Sequence, residues 1–414
     1  MSDTNTLTDS FPTYHSKRMQ VKRGKLTIYK DICSFEERAT LVKGAAVKRP
    51  YRSALVVKAL GDDGAYIRQA LTDTAETLTV NQEPSIAAYV TDSDAIQSNY
   101  KTMNHYSDDA MKRIDEFVDG DVLGEYASAS SIVANYEMGG GGSASDGIGF
   151  TLTTSNVMQV FGKANKKIDR KHVARKDRWA VISPEFFDIL WQFIGGKESA
   201  LGDKVGTNPN EIGVYGGFRL FVSEQTGWSA RLEFATNPTA NDTITINGAV
   251  FTWKADTITT AGYIHICSTA ALSLDQLVSA INTPGTSVTE ATDAGFYALS
   301  TANQNALSGI VATDGTTYMT LKGEGYGFIA VSEGLSAAAD IWTTTKQLQH
   351  NLFGQGKPID LVMQKVPKIQ LKDRSDASYG YTGQDFVVWG LYGLKTFAEG
   401  ADALVDVQIR SDAF

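Results

Sequence analysis

The chain has 414 residues, 42% hydrophobic and 21% charged, with a formal net charge of −9; that is enough for two or three domains and excludes wholesale disorder. No apolar run reaches 18 residues, and the N-terminal MSDTNTLTDSFPTYHSKR lacks the apolar core of a signal peptide, so no membrane partner is expected. Cys33 and Cys267 are the only cysteines; far apart, they form no metal spacing and suit a reducing compartment.

The net charge conceals a segregation. Residues 1–60 hold twelve Lys or Arg against five Asp or Glu, and residues 163–178, KANKKIDRKHVARKDR, hold eight against two. Residues 233–340 hold two lysines and no arginine against ten acids. Such a distribution assigns different surroundings to different parts of one chain. Lys163, Lys166, Lys167, Arg170 and Lys171 are the candidate functional cluster, facing nucleic acid, acidic patches on neighbouring copies, or solvent alone.

In chain order, residues 1–50 read as an extended arm, with KRGKLTIYKDI offering one short strand at best. Residues 51–91 read as a projecting hairpin: SALVVKAL, the turn-like GDDG at 61–64, then a return in which Thr77 and Thr79 alternate with Leu78 and Val80. A lone hairpin is marginal in water, so this one must lean on something else. From Asp92, apolar residues at 96, 100, 103, 106, 110, 114 and 117 follow the 3.6 period, predicting a helix to Val118 of about 40 Å. His105 lies beside that stripe.

MGGGGSASDG at 138–147 lacks the G-K-[ST] ending of a phosphate-binding loop and reads as a flexible connection. A helix near 156–168, capped by Thr154 or Ser155, carries the basic cluster into RWAVISPEFFDILWQF at 178–193. There Trp179–Ile182 form an apolar strand, Ser183 is a good N-cap, Pro184 suits the first helical position, and Glu185 favours the positive helix end. A nucleophile elbow needs glycines on either side of the serine, and VISPE has neither.

Gly213, Gly216 and Gly217 introduce a strand at 218–222, after which the texture changes. Residues 233–340 are rich in Thr, Ala, Gly and Asp. They contain a hairpin TITINGAVFTWK turning at Asn247-Gly248, a strand YIHICS, a short helix capped by Ser273, and a strand in GTTYMTLKGEG. They read as a small β-rich inserted domain, replaceable by a short glycine-serine linker without loss of folding. PIDLVMQKVPKIQLKDR, DFVVWGLYGLKTF and ALVDVQI then supply strands, the second expected to bend at Gly390 and Gly393.

The chemistry census predicts no catalytic, cofactor-binding or metal-binding residue and no cofactor. The five histidines, at 15, 105, 172, 265 and 350, make no ligand pair in sequence, and there is no C-x-x-C. Asp62-Asp63 and Asp108-Asp109 read as a turn and a solvated helix face.

The order of these features resembles the major capsid (coat) proteins of tailed bacteriophages, with the HK97-type fold. The arm and hairpin at 1–91 are similar to that family's N-terminal arm and E-loop, and the helix from Asp92 to its spine helix. RWAVISPEFFDIL is similar to its central strand and helix, and IGVYGGFRLFVSE to a strand of its axial domain. KIQLKDR, SYG and WGLYGLK resemble its closing strands. The resemblance covers about three quarters of the chain. It implies an α+β fold divided into an arm (1–50), E-loop (51–91), spine helix and peripheral domain (92–178), axial domain (179–232), inserted domain (233–340) and a return to axial and peripheral domains (341–414).

By the same resemblance, the function is that of a non-enzymatic subunit of an icosahedral shell around double-stranded DNA, assembling into pentamers and hexamers. Implied partners are further copies of itself, a separate scaffolding protein, a portal protein, a decoration protein and non-specifically held DNA. The implied location is the virion, and the host cytoplasm before assembly. Lys58, the only lysine in 51–91, is the one position for a covalent cross-link to a neighbour's asparagine. The alternatives are the shell of an encapsulin-like nanocompartment, a tail or carbohydrate-binding structural protein, and a hydrolase with scattered catalytic groups.

Overall fold

The structure is a computed structural model describing residues 24–38, 44–52, 55–60, 66, 68–91, 102–143, 146–195, 211–255, 258–291, 294–323, 329–338, 340–373 and 383–410. In chain order these form α1 (Tyr29–Ile32), β1 (Cys33–Ser34), β2 (Ala46–Arg52), β3 (Asp73–Thr79), β4 (Ser85–Thr91), α2 (Thr102–Gly124) and β5 (Ser131–Val133). Then come α3 (Val157–Arg170), β6 (Arg178–Ile182), α4 (Pro184–Gly195), β7 (Glu211–Tyr215), β8 (Phe218–Val222) and β9 (Gly227–Glu233). The Thr-rich segment gives β10 (Thr243–Ile246), β11 (Ala249–Lys254), β12 (Tyr263–His265), α5 (Ala270–Asn282), β13 (Val288–Ala291) and β14 (Ala294–Phe296). It ends with α6 (Thr301–Ala306), β15 (Ile310–Asp314), β16 (Tyr318–Gly323) and β17 (Val331–Gly334). The chain closes with β18 (Leu348–Gln355), β19 (Ile359–Asp373), β20 (Gly383–Thr396), α7 (Ala398–Asp402) and β21 (Leu404–Arg410).

Two compact units result: Gln82–Asp115 with Lys365–Leu391 in one, and Lys25–Asn81, Glu116–Gln364 and Tyr392–Phe414 in the other. In the first, β4 pairs antiparallel with β20, Ser85 opposite Trp389 and Thr91 opposite Gly383. Ala110 and Ile114 of α2 pack on Phe386, Val388 and Ile86 there.

The larger unit is built on a nine-stranded mixed sheet. Its order runs β15-β16-β9-β18-β6-β8-β7, with β21 beside β18 and β5 beside β21. All five residues of β6 are buried, as a short apolar run inside a sheet requires. Ala180 and Ile182 face a core with Phe161, Phe186, Phe218 and Phe353, under α3 and α4. Trp179 and Val181 face a second core with Ile28, Ile32, Val118, Val122 and Leu404. Ser183 caps α4 as expected, accepting the Phe186 N–H at 3.2 Å, while its own N–H donates to Asn351 Oδ1 at 2.7 Å.

Several local expectations are corrected. Helix α2 runs to Gly124, six residues past the expected end; residues 92–101 of the expected helix lie outside the described residues. Its buried line is Ala110, Ile114, Val118 and Val122, whereas Tyr106 and Phe117 of the predicted stripe each remain 48% exposed. The hairpin's first strand is β2, five of whose seven residues belong to the expected arm, and not SALVVKAL, whose described residues 55–60 form no strand. Pro50 in AVKRPYR hides the strand from propensity reasoning, yet a two-stranded ribbon has an open edge on which proline is tolerated. The GDDG turn lies outside the described residues.

Residues 24–38 are built into the body. Lys25 N–H donates to Glu116 Oε1, and the Ile28 and Tyr29 N–H groups donate to Asp119 Oδ1, each at 2.7 Å. Strand β20 is continuous from Gly383 to Thr396, with no interruption at Gly390 or Gly393. A Cβ at Gly393 would lie 2.3 Å from Thr79 O, so this glycine permits close backbone approach.

In the Thr-rich segment, a six-stranded sheet of order β13-β14-β12-β11-β10-β17 packs on α5. Asn247 and Gly248 have φ of 48° and 85°, the pair of positive values that a tight hairpin turn demands. The cap of α5 is Thr269, accepting Leu272 N–H, not Ser273; Ser273 Oγ instead accepts Cys267 N–H and donates to Asn237 Oδ1. Strands β15 and β16 leave this sheet for the larger one, β16 pairing with β9 from Glu233 to Trp228. Trp228 and Leu232 consequently share one core with Phe251, Trp253 and Leu277.

Candidate functional site

The basic segment lies on α3 and in the turn leading to β6. Val157, Val160, Phe161, Ala164 and Ile168 recur at helical spacing and are buried, which fixes the helix by one face. The N-cap is Asn156, not Thr154 or Ser155. Its side chain accepts the Thr153 N–H at 2.8 Å and donates to Thr151 O at 2.9 Å, stabilising the preceding turn.

The five cluster residues divide by their partners. Lys167 pairs with Glu137 at 2.5 Å and Lys171 with Asp402 at 2.8 Å. Against burial, which pushes the other way, the Lys171 bond holds the Asp402 carboxyl below its ordinary range. Lys163, Lys166 and Arg170 make no ion pair among the described residues; Lys166 and Arg170 are exposed and Lys163 partly so.

The rest of the segment is structural. Arg178, 5% exposed, spends its guanidinium on Asn165 Oδ1, Asp169 Oδ1 and the Ala174 carbonyl. Arg175 takes the other oxygen of Asp169 at 2.8 Å. Hydrogen bonds from Arg178 and Arg175 hold the Asp169 carboxyl below its ordinary range. Asn165 also donates to Gly216 O at 2.8 Å, tying α3 to the β7–β8 turn.

One constellation has no signal in the sequence. Ser229 of β9 lies 2.8 Å from His350 Nε2, and His350 Nδ1 lies 2.8 Å from Asp406 Oδ2. The spacings are those of a serine–histidine–aspartate relay. The three positions are 229, 350 and 406, so only the strand order β9-β18-β21 brings them together. Tyr126 stacks on the imidazole at 3.8 Å, and Gln408 donates to Asp406. Ser229, His350 and Asp406 are 9%, 5% and 2% exposed, so the relay works as a polar tie across three strands.

Among the described residues, the open cavities of the larger unit include two. One, about 480 Å³, is bordered by Asp31, Asp177, Arg178, Trp179, Arg219 and Lys357. The other, about 890 Å³, is bordered by Arg49, Lys171, His172, Asp360, Glu399 and Asp402. Neither reaches Ser229 or His350. Among the described residues no three His, Cys, Asp or Glu side chains gather as a metal site.

Arg49 of β2 anchors the hairpin. It pairs with Glu37 at 2.7 Å and Asp360 at 3.2 Å, and its guanidinium lies 4.2 Å from the Phe397 ring centre. Burial pushes the Asp360 carboxyl up, outweighing the opposing pull of Arg49.

No family model and no curated protein matches the chain. Solved structures do. A chain from Mycobacterium phage Che8 is 14% identical, with a TM-score of 0.54 and 96% of both chains covered. The capsid structure of the cyanophage P-SCSP1u is 12% identical, with a TM-score of 0.55, covering 98% of this chain and 95% of that one. The capsid asymmetric unit of cyanophage Pam1 is 10% identical, with a TM-score of 0.53 and 100% of both chains covered. The chain thus has an α+β fold that these phage structures, two of them capsid structures, share and that resembles the HK97-type architecture.

Proposed function

We propose that this chain is the structural subunit of an icosahedral phage capsid shell, assembling into pentamers and hexamers around double-stranded DNA. The observation that carries the reading is the fold likeness over the full length of two capsid structures, with no large part left over on either side.

In this reading the β2–β3 ribbon is the E-loop and α2 the spine helix. The unit of Gln82–Asp115 and Lys365–Leu391 supplies the peripheral domain. The nine-stranded sheet supplies the axial domain, and residues 233–340 are an inserted domain attached through β15 and β16. Its surplus of acids favours an outward position, away from packaged DNA. The basic cluster around α3 favours an inward one. Scaffolding, portal and decoration proteins are further partners of such a shell, and assembly in the host cytoplasm precedes its place in the virion. Lys58 lies in the described part of the E-loop and is exposed there, as a cross-linking lysine must be.

A shell subunit closes rings through heterologous contacts, each copy presenting one surface to a different surface of the next. Negative-stain microscopy of the purified protein tests this. The expected result is closed particles of uniform diameter; a chain that remains monomeric under all assembly conditions contradicts it.

A further inference from the structure

Resting on the shell reading above, we propose that only one face of α3, formed by Lys163, Lys166 and Arg170, contacts the phosphates of duplex DNA. Lys167 and Lys171 serve as internal ties.

The division follows from helical geometry and from the ion pairs. At about 100° per residue, positions 163, 166 and 170 fall together on the side of α3 opposite the buried line of Val157, Val160, Phe161, Ala164 and Ile168. Gln159, exposed and one turn before Lys163, extends the same face with a neutral donor. Position 167 falls on the shoulder of the helix, where Glu137 meets it, and Lys171 is the C-cap residue, where Asp402 meets it. Asp169, on the flank of the stripe away from Lys167, is held by Arg175 and Arg178. The stripe therefore carries three positive charges that no carboxylate of the described residues neutralises.

From Lys163 to Arg170 the stripe spans about 10 Å, a distance over which a duplex presents about six phosphate charges. Straight contact with phosphates carries no sequence information, which suits a container for any genome. An anionic lipid surface offers the same charges but also requires an apolar face beside the cations. In α3 that face is already spent: Val157, Val160, Ala164 and Ile168 are 0% exposed.

The test is fluorescence anisotropy of the full-length soluble chain on a mixed-sequence duplex of about 20 base pairs, titrated between about 50 and 200 mM salt. The triple variant Lys163→Gln/Lys166→Gln/Arg170→Gln should flatten the slope of log affinity against log salt by about 2.7, three contacts at 0.9 each. Lys167→Gln/Lys171→Gln should leave that slope unchanged and lower the thermal midpoint instead. The single variant Lys166→Gln, at the outermost position, should cost about 0.9 in slope and guards against misfolding of the triple.

An unchanged slope in the triple variant, or equal losses in both sets, overturns the proposal. So does binding of phosphatidylserine vesicles with the same three-residue dependence. Particle formation by the unaltered chain is read separately: its failure removes the shell reading, whereas normal particles with an unchanged slope remove only this assignment.

Discussion

The β2–β3 ribbon and strand β6 are opposite solutions within one chain. In β6 every residue is buried, shared between two cores by alternation. In the ribbon only Leu78 of β3 is buried, and the described residues beyond it expose Leu55, Val56, Val57, Leu60, Tyr66 and Leu71 by 59–99%. A strand surrounded on both faces is complete within its own subunit. Two strands alone remove too little apolar surface from water, so under the proposed shell reading the ribbon's burial is left to another molecule.

The largest expected effect comes from removing strands from the sheet that contains β6. Replacing residues 236–338 by a glycine-serine linker strips β16 from β9 and bares Trp228 and Leu232, which share a core with Phe251 and Trp253. The sequence suggested a segment deletable without loss of folding; the shared core reverses that expectation. The deletion product should aggregate, and a soluble, cooperatively melting product would show that the central sheet is complete without its neighbour.

Within the sheet, Trp179→Ala removes a fully buried ring and should cost about 3–5 kcal/mol, read as a lower denaturant midpoint. A loss under about 1 kcal/mol would mean that the site collapses around the vacancy, unlike a close-packed core.

At the junction, Arg49→Ala should cost about 1–2 kcal/mol, because it leaves Asp360 buried without its cation, while a third of Arg49 is already in water. The sign of its pH dependence follows from Asp360, whose folded-state pKa is raised by burial. The loss is present above that pKa and fades as pH falls through it, since protonation removes the buried charge. Denaturant midpoints of the variant and the parent on both sides of the transition check this, and a loss that grows in acid would contradict it.

The smallest effect on the subunit should come from the ribbon itself. Val57 is 99% exposed, so Val57→Asp should change subunit stability by no more than about 0.5 kcal/mol yet sharply reduce particle yield. Unimpaired assembly would remove Val57 from the contact surface.

What the sequence disclosed follows the same division. Trp179–Ile182 with Ser183-Pro184 was legible because burial, capping and the first-turn proline all act over a few residues. Asn247-Gly248 was legible because positive φ at two successive positions leaves little choice of residue. Strand β2 was not, since its alternation is polar and broken by Pro50, and what makes it a strand is its partner 27 residues later, Ala46 opposite Thr79 at one end and Arg52 opposite Asp73 at the other. Ser229, His350 and Asp406 were invisible for a similar reason, being neighbours only through strand order. The basic cluster was visible as composition, but its division into ties and free charges depended on Glu137 and Asp402, which no local pattern connects to α3.

The claim that this chain completes its burial only among copies of itself is tested most directly by hydrogen exchange on the amides of residues 46–52 and 73–79. The comparison is between the soluble subunit and the assembled particle, with β6 as the internal reference. The account predicts that protection of the ribbon rises by orders of magnitude on assembly while β6 is protected equally in both. Equal protection of the ribbon in both states would contradict it.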